Sequence, residues 1–262
     1  MTTTPYETLR LRIDDGIATI TLARPESLNA FTQQSLVELR SALKAVIASP
    51  ARCLVLTGEG RAFSSGADLA APRDGLDEND PDEFLRDYFV PPFRMLAGME
   101  IPTIAAVNGP CAGSGMSLAL SCDIVIASES AFFLQPFVSI GLVPDLGSSW
   151  LLPQALGRAR ATGLMLLGEK LPAADAAAWG MIWKTVPPDQ LEHAVLETAR
   201  KLKDGPSRGP AMIKQLIARG LRNGLAEQMQ AELEFQRVAL RSADHIEARA
   251  AFKEKRAPVF VR

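Results

Sequence analysis

The chain has 262 residues, 47% of them hydrophobic and 22% charged, a balance that fits one large globular domain, or one domain with an appendage, and excludes fibrous and disordered classes. Its 28 Lys and Arg against 30 Asp and Glu give a formal net charge of −2, so it has no basic field for a nucleic-acid partner, and an anionic ligand must be met by local Arg and Lys. Cys53, Cys111 and Cys122 show neither C-x-x-C spacing nor an even count, which predicts free thiols in a reducing cytoplasm, and neither a leader nor an 18-residue apolar run is expected, so neither secretion nor membrane insertion is.

Strand-like runs open the chain at residues 8–13 (TLRLRI) and 17–22 (IATITL). Thr32 then caps a helical pattern with Leu36, Leu39, Leu43 and Ile47 at spacings of three and four, and Pro50 ends it. Residues 53–58, 103–109 and 122–127 are nearly continuous apolar runs, as expected of strands covered on both faces. Strand alternates with helix, so the fold class is α/β. The acidic segment 74–84 (DGLDENDPDEF) is punctuated by Gly and Pro and predicts a mobile loop leading into a helix, either a solvated linker or the border of a site. Past residue 187 strand signals stop. Helical patterns follow at 189–203, at 210–220 with Pro210 in the first turn, at 225–240, and at 243–254 behind Ser242. Leu225, Met229, Leu233 and Leu240 form an apolar stripe that either packs on the chain's own core or makes a subunit contact.

Two small-residue stretches follow predicted strands: GEGRAFSSGADLA (58–70) and NGPCAGSGMSLAL (108–120). Each places a turn at a strand end with a helix expected soon after, a geometry that exposes backbone N–H groups. Neither carries the Gly-Lys-Ser/Thr of a phosphate loop, and GPCAGSG does not fit G-x-G-x-x-G. Taken singly, each reads as a tight turn more readily than as a catalytic element. Asp145 is the lone carboxylate of IGLVPDLGSSW (140–150), which reads as a buried wall and then a turn. An acid there caps a helix, steadies the turn, or exchanges protons with a ligand. His193 and His245 read as surface or packing residues, AGSGM has its serine at the wrong place for a G-x-S-x-G nucleophile, and no metal-ligand spacing is present.

The segments LARPESLNAF (22–31), RAFSSGADL (61–69), AAVNGPCAGSG (105–115) and AFKEKRAP (251–258) occur in one order along the chain. In them it resembles the crotonase, or enoyl-CoA hydratase/isomerase, superfamily over nearly its whole length. The resemblance implies a crotonase-like ββα spiral core in residues 1–200 and a C-terminal α-helical region, 201–262, that mediates trimers, often paired into hexamers. It implies an acyl-CoA substrate, with coenzyme A part of the substrate and no separate cofactor, and an oxyanion hole of two backbone N–H groups, which fall on Ala67 and Ser114. Ser114 stands where glycine is common. A backbone donor survives that change, while the hydroxyl narrows the site.

Ligand binding by the same resemblance uses Arg24, Ser27, Leu28 and Ala30 beside the adenine and pantetheine, with Ala67, Asp68 and Leu69 next to them. Arg24 is a candidate for the phosphates, as are Phe252 and Lys255 reaching a neighbouring subunit's coenzyme A, although a basic residue alone reads more often as a solvated charge. The two glutamates that handle water in the family's hydratases match Ser117 and Phe137, neither of which can do that work. Asp145 lies where several family isomerases carry their acid/base carboxylate, and Val143, Leu146 and Trp150 are expected to raise its pKa. Residues 137–169, with 179–184 and 241–258, are similar to the family branch that converts 1,2-epoxyphenylacetyl-CoA to oxepin-CoA in phenylacetate degradation and moves 3-enoyl-CoA double bonds to position 2. That branch's Gly-Gly-Thr after the acid is Gly147-Ser148-Ser149 here. Isomerisation of an acyl-CoA is therefore the expected activity, with 2-enoyl-CoA hydration in fatty-acid oxidation, or a non-catalytic coenzyme A-binding subunit, as alternatives.

Overall fold

The computed structural model describes residues 6–72, 80 and 82–260. β1 (Leu9–Asp14) alternates buried and exposed side chains and turns back into β2 (Ile17–Leu22) through Asp15 and Gly16, both at positive φ. That two-residue turn matches the twist of an antiparallel hairpin, with Leu9 opposite Leu22 and Asp14 opposite Ile17. α1 (Gln33–Ile47) starts where Thr32 Oγ1 accepts the Ser35 amide and Ser35 Oγ accepts the Thr32 amide. Leu36, Leu39, Leu43 and Val46 are buried on its inner face, while Ile47 is 59% exposed. The inner face therefore ends on Val46, three residues after Leu43, and not on Ile47.

β3 (Cys53–Gly58) leads towards the acidic segment, of which 74–79 and 81 lie outside the described residues. The chain resumes in a π-helical turn, Phe84–Phe89, that runs into α2 (Val90–Ala97), where Phe31 meets Phe89 and Phe93 edge-on. There follow β4 (Thr103–Val107), β5 (Cys111–Ala112), α3 (Ser114–Leu120), β6 (Ile124–Ser128), β7 (Phe132–Leu134), α4 (Ser148–Leu167), β8 (Leu171–Pro172), α5 (Ala173–Ala178), β9 (Lys184–Val186) and α6 (Leu191–Asp204). The main sheet runs β1-β2-β3-β4-β6-β9, parallel from β2 onward, and a small sheet is ordered β5-β7-β8.

Both faces of the main sheet are covered, which is why its central strands read as unbroken apolar runs. On one side α1 and α2 bury Leu54, Leu56 and Ala105; on the other α6 lays Leu191, Val195 and Ala199 on Ile17, Val55, Ile104 and Ile126. The expected strand at 103–109 stops at Val107 because the Asn108 side chain leaves the ladder and donates to the carbonyls of Gly58 and Gly60, at 2.9 Å each. Lys203 Nζ, on a buried side chain, bonds Asp15 Oδ2 at 2.6 Å and ties α6 to the first hairpin. The 200/201 boundary thus falls inside a helix that packs on the sheet.

The chain ends in α7 (Gly209–Gly220), α8 (Leu225–Ala239) and α9 (Ala243–Glu254), the last capped by Ser242, whose Oγ accepts the His245 amide at 3.1 Å. α8 packs on α7 and buries Ala231, yet Leu225 is 80% exposed and Met229, Leu233 and Leu240 are all more than half exposed. Packing on the chain's own core is therefore not what that stripe does. No helix among the described residues is long and apolar enough to cross a membrane. Cys53, Cys111 and Cys122 are free and buried.

Candidate active site

The segment after β2 is stitched to the segment after β3 by Asn29. Its side chain is buried: Nδ2 donates to Glu59 O at 2.9 Å and to Ala62 O at 2.8 Å, and Oδ1 accepts the Arg24 amide at 2.9 Å. Leu28 and Asn29 both take positive φ there, a cost the asparagine lowers and its three bonds offset. Ser64 Oγ donates to Asn29 O at 2.8 Å and accepts the Gly66 amide at 3.2 Å. Phe31 then bridges the neighbouring strand, its amide donating to Gly66 O at 2.7 Å and its carbonyl accepting the Asp68 amide at 2.9 Å. Successive amides of an extended chain point to opposite sides. The bridge uses Asp68 on one side, so the Ala67 amide points to the other, where no described residue accepts it.

The second turn is bolted to the first. Ser64 N donates to Pro110 O at 3.2 Å, Ala112 N donates to Ser64 O at 2.9 Å, and Gly113, at φ 52°, donates its own amide to Leu134 O at 2.9 Å. Ser114 opens α3, so its amide is one of the first-turn donors that a helix leaves without an internal partner. A Cβ placed on Gly66 would lie 3.2 Å from the Ser114 nitrogen and 3.0 Å from Ala112 O, so the backbone beside Ala67 and the amide of Ser114 stand side by side. Among the described residues, only the second stretch starts a helix. The first continues as the extended Phe31–Ala67 bridge, so its free donor owes nothing to a helix end.

Asp145 enters from the turn before α4. Its carbonyl accepts the amide of Ser148 at 2.9 Å and the Ser148 hydroxyl at 2.7 Å, and the hydroxyl of Ser117, one turn into α3, lies 3.5 Å from it. Leu146 and Gly147, at φ 50° and 84°, redirect the chain into α4. Oδ1 of Asp145 is buried with no hydrogen-bond partner, and burial pushes the carboxyl up to about 6 against the opposing pull of its own amide. The expected wall is only partly buried. Ile140, Leu142, Val143 and Trp150 are exposed, Val143 by 78%, and of the three named neighbours only Leu146 packs against the core. Phe137 is buried, with its ring tip 3.8 Å from where a Cβ on Gly113 would stand.

The remaining candidates divide. Arg24 Nη1 donates to Ala30 O at 2.7 Å and to Asp68 Oδ2 at 3.1 Å, so this guanidinium joins the Arg24–Ala30 segment to the Ala67–Leu69 segment and has its charge met within the chain. Ser27 packs into the same seam, its carbonyl accepting Ser65 Oγ at 3.3 Å, and Leu28 O accepts the Ser65 amide at 2.9 Å. Leu69 is 65% exposed beside them. Phe252, 86% exposed, and Lys255, the left-handed cap of α9, make no hydrogen bond, ion pair or ring contact with the two turns among the described residues. Asn29, Ser64 and Gly115 build the site; each lies in a segment that carries the resemblance, but no spacing singles it out there. Gly115 contributes by lacking a side chain: a Cβ there would lie 2.6 Å from Ser64 O and 2.7 Å from Ser64 Cβ.

Two unoccupied amides on adjoining turns can hold one carbonyl oxygen, and a carboxyl titrating near pH 6 can take and return a proton at neutral pH. Comparison with known proteins places the chain in a family. Residues 12–262 match the model of the enoyl-CoA hydratase/isomerase family. The 1,2-epoxyphenylacetyl-CoA isomerase of Escherichia coli is 44% identical over 253 residues, which cover 95% of this chain and 96% of the relative. A "Probable enoyl-CoA hydratase" of Rhodobacter capsulatus is 43% identical over 256 residues, 97% of this chain and 98% of the relative. Among solved structures, an enoyl-CoA hydratase from Bacillus anthracis superposes with a TM-score of 0.91 at 29% identity, over 97% of this chain and 99% of its own.

Proposed function

The chain belongs to the enoyl-CoA hydratase/isomerase family, and from that premise we propose that it isomerises acyl-CoA thioesters, with 1,2-epoxyphenylacetyl-CoA as substrate and 3-enoyl-CoAs as a second class. The observation that carries this reading is Asp145, the carboxyl that burial lifts to about 6; by the resemblance, Ser117 and Phe137 take the places of a hydratase's two glutamates. Asp145, ionised, removes a proton from C2. The electron pair moves onto the thioester oxygen, where the Ala67 and Ser114 amides meet the developing charge; one such donor is worth about 3 kcal/mol in comparable acyl chemistry. For a 3-enoyl substrate the enolate takes the proton back from Asp145 at C4, leaving a 2-enoyl product of unchanged composition. For the epoxide the same electron-rich intermediate opens the C–O bond, the ring expands, and Asp145 gives the proton back to a ring carbon, so the product is an isomer of the substrate. Phe137 is buried, its ring tip 3.8 Å from where a Cβ on Gly113 would stand, and it keeps water from the place where addition would occur. Coenzyme A enters as part of the substrate, in the seam formed by residues 24–30 and 67–69.

The test is incubation with 1,2-epoxyphenylacetyl-CoA and a panel of 3-enoyl-CoAs, read by mass and ultraviolet spectrum. Products of unchanged mass with a shifted spectrum are expected, and kcat/KM should rise with pH to a plateau through a midpoint near 6, because the base works only when ionised. Gain of the mass of water, or rapid loss of crotonyl-CoA absorbance, would establish the hydratase instead. No turnover on any acyl-CoA would favour a non-catalytic binding subunit.

The exposed stripe on α8 supports a homotrimer, or a dimer of trimers, closed through the C-terminal helices. Leu225→Glu with Met229→Glu places charge on that face, and light scattering should then report a lower mass than for the parent. A parent that is already monomeric would remove the proposal.

A further inference from the structure

The amide of Ser114 has a place in the proposed reaction, but its hydroxyl does not. The side chain is 3% exposed, and Oγ is buried with no hydrogen-bond partner. A serine at a helix start ordinarily bonds a nearby backbone group, and this one, at the first position of α3, does not. A buried hydroxyl left unpaired is costly, and one retained in a site calls for a partner that arrives with the ligand. Its position says where that partner lies. The point a Cβ on Gly66 would occupy is 3.2 Å from the Ser114 nitrogen and 3.4 Å from its Oγ, so amide and hydroxyl face the same wall. That wall is the extended segment whose next residue, Ala67, carries the other free amide.

We propose that Ser114 Oγ is a third hydrogen-bond donor to the thioester oxygen, and so a catalytic residue through its side chain as well as its backbone. The inference rests on the reading of the two amides as the oxygen's cradle and deepens it. The hydroxyl turns its proton towards the oxygen, while Asp145 acts on carbon from the opposite element. Because the oxygen gains charge only as the C2 proton leaves, the third bond strengthens along the reaction, and its loss falls on kcat more than on KM. A glycine at this place supplies an amide alone.

The experiment uses butyryl-CoA labelled with ¹³C at the thioester carbonyl, a saturated ligand that does not turn over, and infrared difference spectra of its complexes with the parent, Ser114→Ala and Ser114→Gly. The parent should lower the carbonyl stretch on binding, and both variants should lower it less. With a turnover substrate, kcat of Ser114→Ala should fall about tenfold, the worth of one ordinary hydrogen bond, while KM moves less than about threefold. Thermal stability of Ser114→Ala should hold or rise, since it removes a hydroxyl with no partner in the free protein. A stretch and a kcat equal to the parent's, or a marked loss of stability, would overturn the role of the hydroxyl. A parent that binds the ligand without lowering the stretch would instead overturn the cradle itself, so the two failures are distinct.

Discussion

Asp145→Asn is expected to lower kcat about 10²–10⁴-fold, the range that a positioned acid/base group supplies, and at the same time to make the protein more stable at neutral pH. Both effects come from one cause. The folded protein holds this carboxyl at about 6 through burial, while in the unfolded chain it titrates near the ordinary value of about 3.9. The folded state therefore binds more protons between those values, and stability falls as pH rises through that window. Above about 6 the whole loss is in force; below about 4 none is. Asparagine never ionises, so the variant should match the parent at pH 4 and exceed it at pH 7.5. The shift corresponds to about 3 kcal/mol, and to about 1–2 kcal/mol once the partial exposure of the group is allowed for. Thermal melts at the two pH values and one protein concentration measure the difference, because assembly also moves the midpoint. A variant that keeps more than a tenth of parental kcat, or that melts below the parent at pH 7.5, would remove Asp145 from the mechanism. Loss of activity joined to gain of stability is the signature of a group held in strain for function.

What a reader of the sequence can see of this site depends on how local each cause is. The apolar run of β3 and the Thr32 cap of α1 are written in consecutive residues, and both elements lie where those residues place them. The small sheet of β5, β7 and β8 has strands of two or three residues, too short for a period of two to register, and it exists because Cys111 and Ala112 find Phe133 and Leu134 across a gap in the chain. The same holds within the site. Asp145 can be singled out as a lone acid in apolar surroundings, but the apolar residues themselves mislead, because Ile140, Leu142 and Val143 face outward from this chain. The turn itself is fixed partly from a distance: Ser148 holds the Asp145 carbonyl locally, and Ser117 of α3 reaches it across 28 residues at 3.5 Å. Arg24 shows the converse. The resemblance makes Arg24 a phosphate candidate and the residue alone reads as a solvated charge; only the fold brings Asp68 to within 3.1 Å of it. The family motifs capture the order of these segments; the pairings among them, Asn29 with Ala62 and Ser64 with Asn29, are long-range bonds that no spacing records.

Gly115→Ala should damage the site through packing alone, touching no ionisable group. The added methyl would lie 2.6 Å from Ser64 O, 2.7 Å from Ser64 Cβ and 2.8 Å from Ser64 Oγ. Two of those atoms are backbone or the first side-chain carbon, so no rotamer change relieves the contact. Ser64 itself cannot retreat without releasing Asn29 O, the Gly66 amide and the Pro110 and Ala112 bonds that join the two turns. The start of α3 must therefore move away by roughly 1 Å, carrying the Ser114 amide from the Ala67 side of the cradle. A misplacement of that size costs about 10² in rate, and the overpacking about 1–3 kcal/mol in stability. Gly163→Ala is the control. It lies within α4 with nothing inside 4 Å of its would-be Cβ, so alanine there should leave kcat unchanged and hold or raise stability by up to about 1 kcal/mol. Steady-state kinetics beside thermal melts separate the two effects. A folded Gly115→Ala enzyme with parental kcat/KM would show that the amide of Ser114 need not stand beside that of Ala67, and the reaction would have to hold its oxygen elsewhere.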